Sequence, residues 1–190
     1  MKKNYHIILS SNSPRRRELL AGLDLKFDIH VIPDIDESYP KCFPVMEIAE
    51  YISAKKAEAY KSSIGKDDLV ITADTVVVLG EEVLGKPKNL DEAKCILRKL
   101  SGKVHHVVTG VSLTSADKQR CFSVTTDVTF KELSDSEIDY YVERYKPLDK
   151  AGAYGIQEWI GYIGVTSIKG SYFNVMGLPV QRIYSELKEF

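Results

Sequence analysis

Two long apolar segments separated by a short polar turn constrain the fold of this 190-residue chain most strongly. Residues 104–114 and 121–130 are rich in valine and threonine, which favour strands, and residues 115–118 between them are typical of a turn. This arrangement predicts a β-hairpin. Because a hairpin pairs its strands antiparallel, the sheet that contains it cannot be all-parallel.

The rest of the chain alternates between strand-like and helix-like patterns. Residues 7–9 and 27–31 predict short strands, and the sequence LVITADTVVVL (69–79) predicts a buried strand that is interrupted at Asp74–Thr75. Gly80 to Glu82 predicts a turn into a short strand. Helices are predicted at 45–60, at 90–100 after an Asn89 cap, at 135–144 after a Ser134–Glu137 capping box, and after Pro179. The alternation predicts an α/β domain with a mixed sheet.

Composition excludes several classes of function. The formal net charge is −1 and the sequence pI is about 6.4, so no global basic field attracts nucleic acid or an anionic membrane. The three cysteines are widely spaced, and neither they nor the four histidines have the spacing of a zinc site. No signal peptide or membrane-spanning run is recognisable. We therefore expect a cytoplasmic protein without nucleic-acid or membrane partners.

Residues 7–20, IILSSNSPRRRELL, combine an apolar strand, a loop of small polar side chains and a helix start with three arginines. The first backbone N–H groups of a helix lack partners within the helix and bind anions readily. Arginine forks beside them suit phosphate. Ser13–Pro14 is equally a plain helix cap without function, so the residues alone leave phosphate binding and capping open.

Two carboxylates are candidates for chemistry. Asp74 lies inside a run of apolar strand residues, where an unpaired carboxylate is costly, and acids at strand ends of α/β proteins often hold a metal or a water. A structural role, with backbone donors or a lysine as partners, is the alternative. Glu37 belongs to the proline-bounded polar loop 33–44, where most acids are merely solvated.

Three further polar residues are weaker candidates on their own. Lys86 follows a short strand between Gly85 and Pro87, which could hold one ammonium in a cleft, although lysines are common in surface turns. Of Lys55 and Lys56, one is expected to face solvent and the other a site. The amide of Gln157 can both donate and accept hydrogen bonds and could contact a base edge.

In combination and in this order, these segments resemble the Maf family of nucleoside triphosphate pyrophosphatases. Six motifs through nearly the whole chain carry the resemblance: residues 11–20 (SNSPRRRELL), 73–76 (ADTV), 85–87 (GKP), 100–102 with 109–111 (LSG, TGV), 149–157 (DKAGAYGIQ) and 170–179 (GSYFNVMGLP).

The resemblance implies a Maf/ITPase-like α/β fold, with an elongated mixed β-sheet flanked by helices and two lobes around a central cleft, over one domain spanning 1–190. It also implies a homodimer in many members. The implied reaction is hydrolysis of a nucleoside triphosphate to the monophosphate and pyrophosphate with a divalent cation, Mg²⁺ or Mn²⁺. Residues 15, 75 and 157 distinguish the subgroups, and Arg15, Thr75 and Gln157 indicate the dTTP/UTP type.

The resemblance implies the role of Asp74, and the charges and side chains of the other candidates suggest theirs. Asp74 is expected to be the catalytic acid or base or a metal ligand, with Glu37 as a second acid on the same metal, and Lys86 completes the catalytic set. The expected substrate-binding residues are Ser11, Ser13, Arg15, Arg16, Lys56, Thr75 and Gln157. Glu158–Trp159, where relatives usually have a glycine, is expected to place a bulky pair near the base pocket.

Two rival functions remain open from the sequence. A non-catalytic nucleotide-binding regulator of cell division would use the same pocket without turnover. An enzyme acting on modified pyrimidine nucleotides would treat dTTP and UTP only as surrogates.

Overall fold

The computed structural model describes residues 5–190. The strands are β1 (His6–Ser10), β2 (Phe27–Ile29), β3 (Asp68–Leu79), β4 (Glu82–Leu84), β5 (Val104–Thr114), β6 (Gln119–Phe130) and β7 (Val165–Lys169). The helices are α1 (Pro14–Ala21), α2 (Ile48–Glu58), α3 (Leu90–Leu100), α4 (Asp135–Tyr145), α5 (Trp159–Gly164), α6 (Tyr172–Val175) and α7 (Val180–Glu189), with a 3₁₀ turn at Ala151–Ala153.

Within this described part, the strands form one mixed sheet in the order β2-β1-β3-β5-β6-β7, with β4 paired to β3. Strand β1 is parallel to both β2 and β3, whereas β4 runs antiparallel to β3 and β7 antiparallel to β6. Strands β5 and β6 are neighbours joined by a short turn in which Ser115 N–H donates to Lys118 O at 2.8 Å. The predicted α/β class, hairpin and mixed sheet are confirmed.

The buried strand predicted at 69–79 is confirmed, and Asp74–Thr75 interrupt its burial without interrupting the strand. The strand continues from Asp68 to Leu79, and only the burial pattern changes at these two residues, which are half-buried between fully buried neighbours. Polar side chains change how deeply a strand is buried, but they leave unaffected the backbone groups that pair it with its neighbours. Asp74 is therefore held on a regular strand rather than on a flexible break.

Local capping signals place the helix starts as predicted. Asn89 caps α3, and Ser134 and Glu137 form the reciprocal capping box of α4. The predicted helix at 45–60 is shorter than expected, because α2 begins at Ile48 and ends at Glu58. No helix among residues 5–190 combines the length and apolar character needed to cross a bilayer.

The chain divides into two compact units. Unit 1 consists of Met1–Asp74, Thr109–Val124 and Gly177–Phe190, and unit 2 of Thr75–Val108 and Thr125–Met176. Each unit is therefore assembled from separate chain segments. The single domain over 1–190 stays a prediction.

Helix α2 in unit 1 lies unusually close to strand β5. A Cβ added to Gly110 would be 2.2 Å from the backbone of Ala49, so only glycine fits at this point. Ser53 strengthens the contact, since its hydroxyl lies 3.0 Å from Ser112 Oγ and its carbonyl accepts a 2.7 Å hydrogen bond from Thr72 Oγ1. These small and hydroxyl side chains fix the position of α2 on the sheet.

Unit 2 encloses a large apolar cluster around α3, α4 and the 3₁₀ turn. His105 is fully buried in this unit, with Nε2 2.8 Å from Tyr154 Oη and its ring edge-on to Phe130. Its Nδ1 has no hydrogen-bond partner among the described residues. Burial lowers the pKa of His105 to about 4, so the ring is neutral in the folded protein.

Candidate active site

The loop before α1 is fixed by its own side chains. Ser13 caps the helix, accepting a long 3.5 Å hydrogen bond at Oγ from the Arg16 backbone N–H, and Pro14 occupies the first turn. Ser11 Oγ accepts from the Ser13 N–H at 3.1 Å, and Arg17 Nε donates to the Ser11 carbonyl at 3.3 Å. The capping interpretation is confirmed, and phosphate binding by Ser11 and Ser13 stays a prediction.

The guanidinium of Arg16 in α1 contacts β3 and the segment at Gly177, all within unit 1. Nε donates to Gly177 O and Nη1 donates to Ala73 O, both at 2.8 Å. Burial lowers the pKa of Arg16, and the negative charge of Asp74 opposes that effect. An arginine nevertheless remains charged at neutral pH, so a fixed positive charge lies close to Asp74. Arg15, the preceding residue of α1, is partly buried.

Lys56 of α2 brings the two candidate carboxylates together. Its ammonium lies 2.8 Å from Asp74 Oδ1 and 3.0 Å from Glu37 Oε1. The side chains of Lys56 and Asp74 are only 13% and 14% exposed, whereas that of Glu37 is 54% exposed. Asp74, Glu37 and Lys56, which are far apart in sequence, thus form one charged cluster.

Lys55, the neighbouring lysine, holds the loop that carries Glu37. Its ammonium donates to Asp36 Oδ2 at 2.6 Å and to the Ser38 carbonyl at 3.0 Å. The hydrogen bond from Lys55 lowers the pKa of Asp36 to about 2. Adjacent lysines of α2 therefore bind adjacent acids of the 33–44 loop, and Lys56 is the one that reaches Asp74.

The remaining candidates belong to unit 2. Lys86 is exposed just after β4 and forms no salt bridge within residues 5–190, while Gly85 O accepts a 3.2 Å hydrogen bond from Gly152 N–H. Thr75 follows Asp74 on β3, and successive side chains of a strand point to opposite faces. Gln157 is half-buried in a turn over residues 155–158.

A sequence model of the family described as "Maf-like protein" matches residues 6–190. The chain belongs to the Maf family. It is 59% identical over 187 residues to a dTTP/UTP pyrophosphatase of Phocaeicola vulgatus, and the alignment covers 98% of this chain and 97% of that protein. It is also 58% identical over 188 residues to a dTTP/UTP pyrophosphatase of Parabacteroides distasonis, covering 99% of this chain and 97% of that protein. The resemblance found in the sequence is confirmed.

A solved structure of a HAM1 protein from Coxiella burnetii shares the fold of this Maf chain. The TM-score is 0.51 at 16% sequence identity, over 98% of this chain and 100% of that chain. At this identity the likeness concerns the fold alone.

The residues that follow Gln157 in this Maf chain are engaged with other side chains of unit 2. Glu158 accepts a short hydrogen bond from the hydroxyl of Tyr141 and lies 3.2 Å from the ammonium of Lys150. Trp159 packs edge-on against Tyr140, with ring centroids 4.7 Å apart. Sequence reasoning missed Tyr141 and Lys150, because neither lies in a local pattern that signals a buried polar contact.

The acids of the Maf site also bear on metal binding. Residues 5–190 hold no group of three or more His, Cys, Asp or Glu side chains that could bind a metal. Asp74 and Glu37 nevertheless direct carboxylate oxygens at one cationic position, which Lys56 occupies. Oxygen donors of this kind suit Mg²⁺ or Mn²⁺ rather than zinc. The two carboxylates are donors of the predicted type, and binding of a cation by them stays a prediction.

Proposed function

We propose that this chain hydrolyses dTTP and UTP to the nucleoside monophosphate and pyrophosphate. Its relatives from P. vulgatus and P. distasonis carry the name dTTP/UTP pyrophosphatase and align over nearly the whole chain. The observation that carries the proposal is the placement of Asp74, which is largely buried on a continuous strand and held by Lys56 next to Arg16.

The proposed reaction places a water on the α-phosphorus and breaks the bond to the bridging oxygen, so that pyrophosphate leaves with its negative charge. Catalysis of such a displacement is mostly positioning and charge stabilisation. Asp74 Oδ1 accepts from Lys56, and no described residue donates to Oδ2. This second oxygen is the proposed site that orients the attacking water or accepts its proton.

The positive groups are proposed to act on different parts of the phosphate chain. The loop at Ser11 and Ser13, with Arg15 and Arg16 behind it, is proposed to bind the phosphates, because a helix start and arginines favour anions. Lys56 and Lys86 are proposed to neutralise the departing charge. Gln157 and Thr75 are assigned to the pyrimidine or to positioning the water.

Asp74 and Glu37 are the residues proposed to hold the divalent cation. Such a cation supplies charge neutralisation and lowers the pKa of bound water. Lys56 would then retain one carboxylate or turn to the substrate.

The test is a turnover assay of purified protein against each nucleoside triphosphate with Mg²⁺ or Mn²⁺, in which pyrophosphate and orthophosphate are measured separately. We expect UMP or dTMP with pyrophosphate, and a loss of about 100-fold or more in Asp74→Asn. The matched control is Asp139→Asn, because Asp139 lies 2.8 Å from Lys94 in an ion pair that the proposal does not use. Orthophosphate as the product, or near-normal turnover in Asp74→Asn, would refute the proposal.

The regulatory alternative predicts nucleotide binding without turnover, and the names of the relatives favour the enzyme. Action on modified pyrimidine nucleotides is tested by adding modified uridine triphosphates to the same assay. The cytoplasmic location, the absence of nucleic-acid binding and the homodimer stay predictions, and light scattering of the purified protein tests the dimer.

A further inference from the structure

The turn that carries Gln157 is closed by its own backbone. Glu158 N–H donates to Gly155 O at 3.0 Å, so residues 155–158 form one tight loop with Gln157 as its third residue. Ile156 is buried on one side of Gln157. A Cβ added to Gly155 would lie 2.8 Å from Glu158 Cδ, so the glutamate side chain folds back against the start of the turn.

Tyr141 holds both ends of this turn from α4. Its hydroxyl donates to Glu158 Oε2 and accepts a 3.0 Å hydrogen bond from the Gly155 N–H. Burial and the hydrogen bond to Glu158 raise the pKa of Tyr141, so the phenol keeps its proton and remains a donor. Tyr141 itself is fully buried.

Lys150 completes the network from the segment before the turn. Its ammonium lies 3.2 Å from Glu158 Oε1 and 2.7 Å from Asp149 Oδ1, and the residue is only 8% exposed. A buried lysine is costly unless it is paired, so this ammonium fixes the direction of the Glu158 carboxylate. The two oxygens of Glu158 are therefore bound from two directions.

Helix α5 supports the turn from its other side. A Cβ added to Gly161 would lie 1.8 Å from Ile156 O, and Gly161 N–H donates to Glu158 O at 2.9 Å. The backbone around Gln157 is thus held by hydrogen bonds at 155 and 158 and by close contact at 156.

Fixing this backbone has a chemical consequence for recognition of a base. A glutamine amide carries a donor and an acceptor that exchange places when the amide rotates by 180°. Uracil and thymine present an acceptor at O4 beside a donor at N3, whereas cytosine presents a donor at N4 beside an acceptor at N3. A glutamine on a mobile turn would therefore suit both kinds of base, whereas a fixed turn removes the backbone part of that freedom and leaves only the side-chain torsions.

We propose that Tyr141, Glu158 and Lys150 are positioning residues that hold Gln157 for selection of uracil and thymine over cytosine. This inference rests on the proposed function, in that Gln157 contacts the base.

The test is calorimetric titration of UTP and CTP, because binding can be measured without turnover. The parent protein carries Asp74→Asn, and the test variants add Glu158→Gln or Tyr141→Phe to it. We expect the parent to bind UTP more tightly than CTP and each added substitution to reduce that ratio about tenfold, mainly by weakening UTP. The size corresponds to the loss of roughly one hydrogen bond to the base.

A matched control separates positioning from general destabilisation. Glu137→Gln removes the charge from a 2.7 Å pair with Lys131 in the same unit, although a glutamine can still complete the α4 capping box, and it should leave the UTP to CTP ratio unchanged. An unchanged ratio in both Glu158→Gln and Tyr141→Phe, or an equal change in Glu137→Gln, would overturn the inference. A parent that binds UTP and CTP equally would overturn it as well. Failure of the proposed function is distinguished by the turnover assay of the unsubstituted protein.

Discussion

Each unit of this chain contains a largely buried lysine between two carboxylates, but the two clusters leave different atoms available. Lys56 in unit 1 and Lys150 in unit 2 are 13% and 9% exposed, and each pairs with one enclosed and one exposed acid. In unit 2 both oxygens of Glu158 have partners, from Lys150 and Tyr141. In unit 1 Asp74 is bound through Oδ1, and no residue within 5–190 donates to Oδ2.

The comparison shows that burial and an ion pair do not by themselves distinguish a functional cluster from a structural one. Carboxylate oxygens without a hydrogen-bond partner distinguish the two kinds of cluster better, because they are the atoms with which a substrate or water can interact. On this basis the cluster at Lys56 is expected to serve chemistry, and the cluster at Lys150 is expected to serve the shape of the turn before α5.

Substituting the two lysines should give the largest and most contrasting effects. Lys56→Ala is expected to lower turnover of dTTP by about 100- to 1000-fold, as the loss of one transition-state donor does. Lys150→Ala is expected to lower the free energy of unfolding by about 3 kcal/mol, because it leaves the Glu158 charge enclosed without its partner. Turnover assays and urea unfolding of both variants measure the contrast. If Lys56→Ala keeps more than a tenth of the activity, the distinction between the clusters fails.

The close approach of α2 to β5 should be the next most sensitive point. Gly110→Ala is expected to cost about 3 kcal/mol of stability, because the added Cβ would overlap the backbone at Ala49 in a packed interior. Gly85→Ala is the control, since its Cβ would meet no atom within 4 Å. Equal urea midpoints for the two variants would show that α2 is free to shift, and Lys56 with it.

The histidines extend the comparison to pH. The pKa of His105 is lowered to about 4 by burial, so the unfolded chain binds a proton more readily than the folded one below pH 6.5. Stability is therefore complete above about pH 6.5 and is lost as the pH falls towards 4, by about 2 kcal/mol between pH 7 and pH 5. Urea unfolding at these two pH values should show this loss in the unsubstituted protein but not in His105→Gln.

His6 in unit 1 should behave with the opposite sign. Hydrogen bonds to Asp68 and Asp28 raise the pKa of His6, so its contribution is present at low pH and is lost as the pH rises through the folded-state pKa. In His6→Gln the stability difference from the unsubstituted protein should therefore shrink with rising pH. If the stability contributions of His6 and His105 changed in the same direction with pH, the contrast between exposed and enclosed polar groups would be contradicted.

The smallest effect is expected at Asp36. Asp36→Asn weakens the hold of Lys55 on the loop beside Glu37, so the KM for dTTP should rise about twofold with kcat unchanged, as is typical of an exposed ion pair. Glu58→Gln is the control, because it breaks a comparable exposed pair between the last residue of the same helix and Lys61 beyond its end. A lower kcat in Asp36→Asn would show that the loop contributes more than binding.

The elements of the fold that could be predicted are those with local signals. The hairpin of β5 and β6, the Asn89 cap and the Ser134–Glu137 capping box depend on neighbouring residues and are confirmed. In β3 the polarity of Asp74–Thr75 indicated a change in burial, which the structure has, while the strand itself continues. Local sequence does not reveal which backbone groups a strand will pair with.

The candidate site likewise has features that could be predicted from the sequence and features that could not. Asp74 and Lys56 could be singled out by their residue types and by the family resemblance. The contacts of Arg16 with Gly177 O and Ala73 O could not, because they join segments up to 161 residues apart. The Tyr141–Glu158 contact was equally hidden, since it depends on how α4 and the turn pack in three dimensions.

The order of the chain segments within the units has a consequence for biosynthesis. Every residue of unit 2 precedes Gly177, whereas unit 1 includes Gly177–Phe190. As the ribosome elongates the chain from its N-terminal side, unit 2 can gather all its segments first. Arg16, although synthesised early, obtains its partner at Gly177 only after about 160 further residues have been added. During that interval its guanidinium is solvated by water, and the candidate active site is among the last parts of the nascent protein to mature.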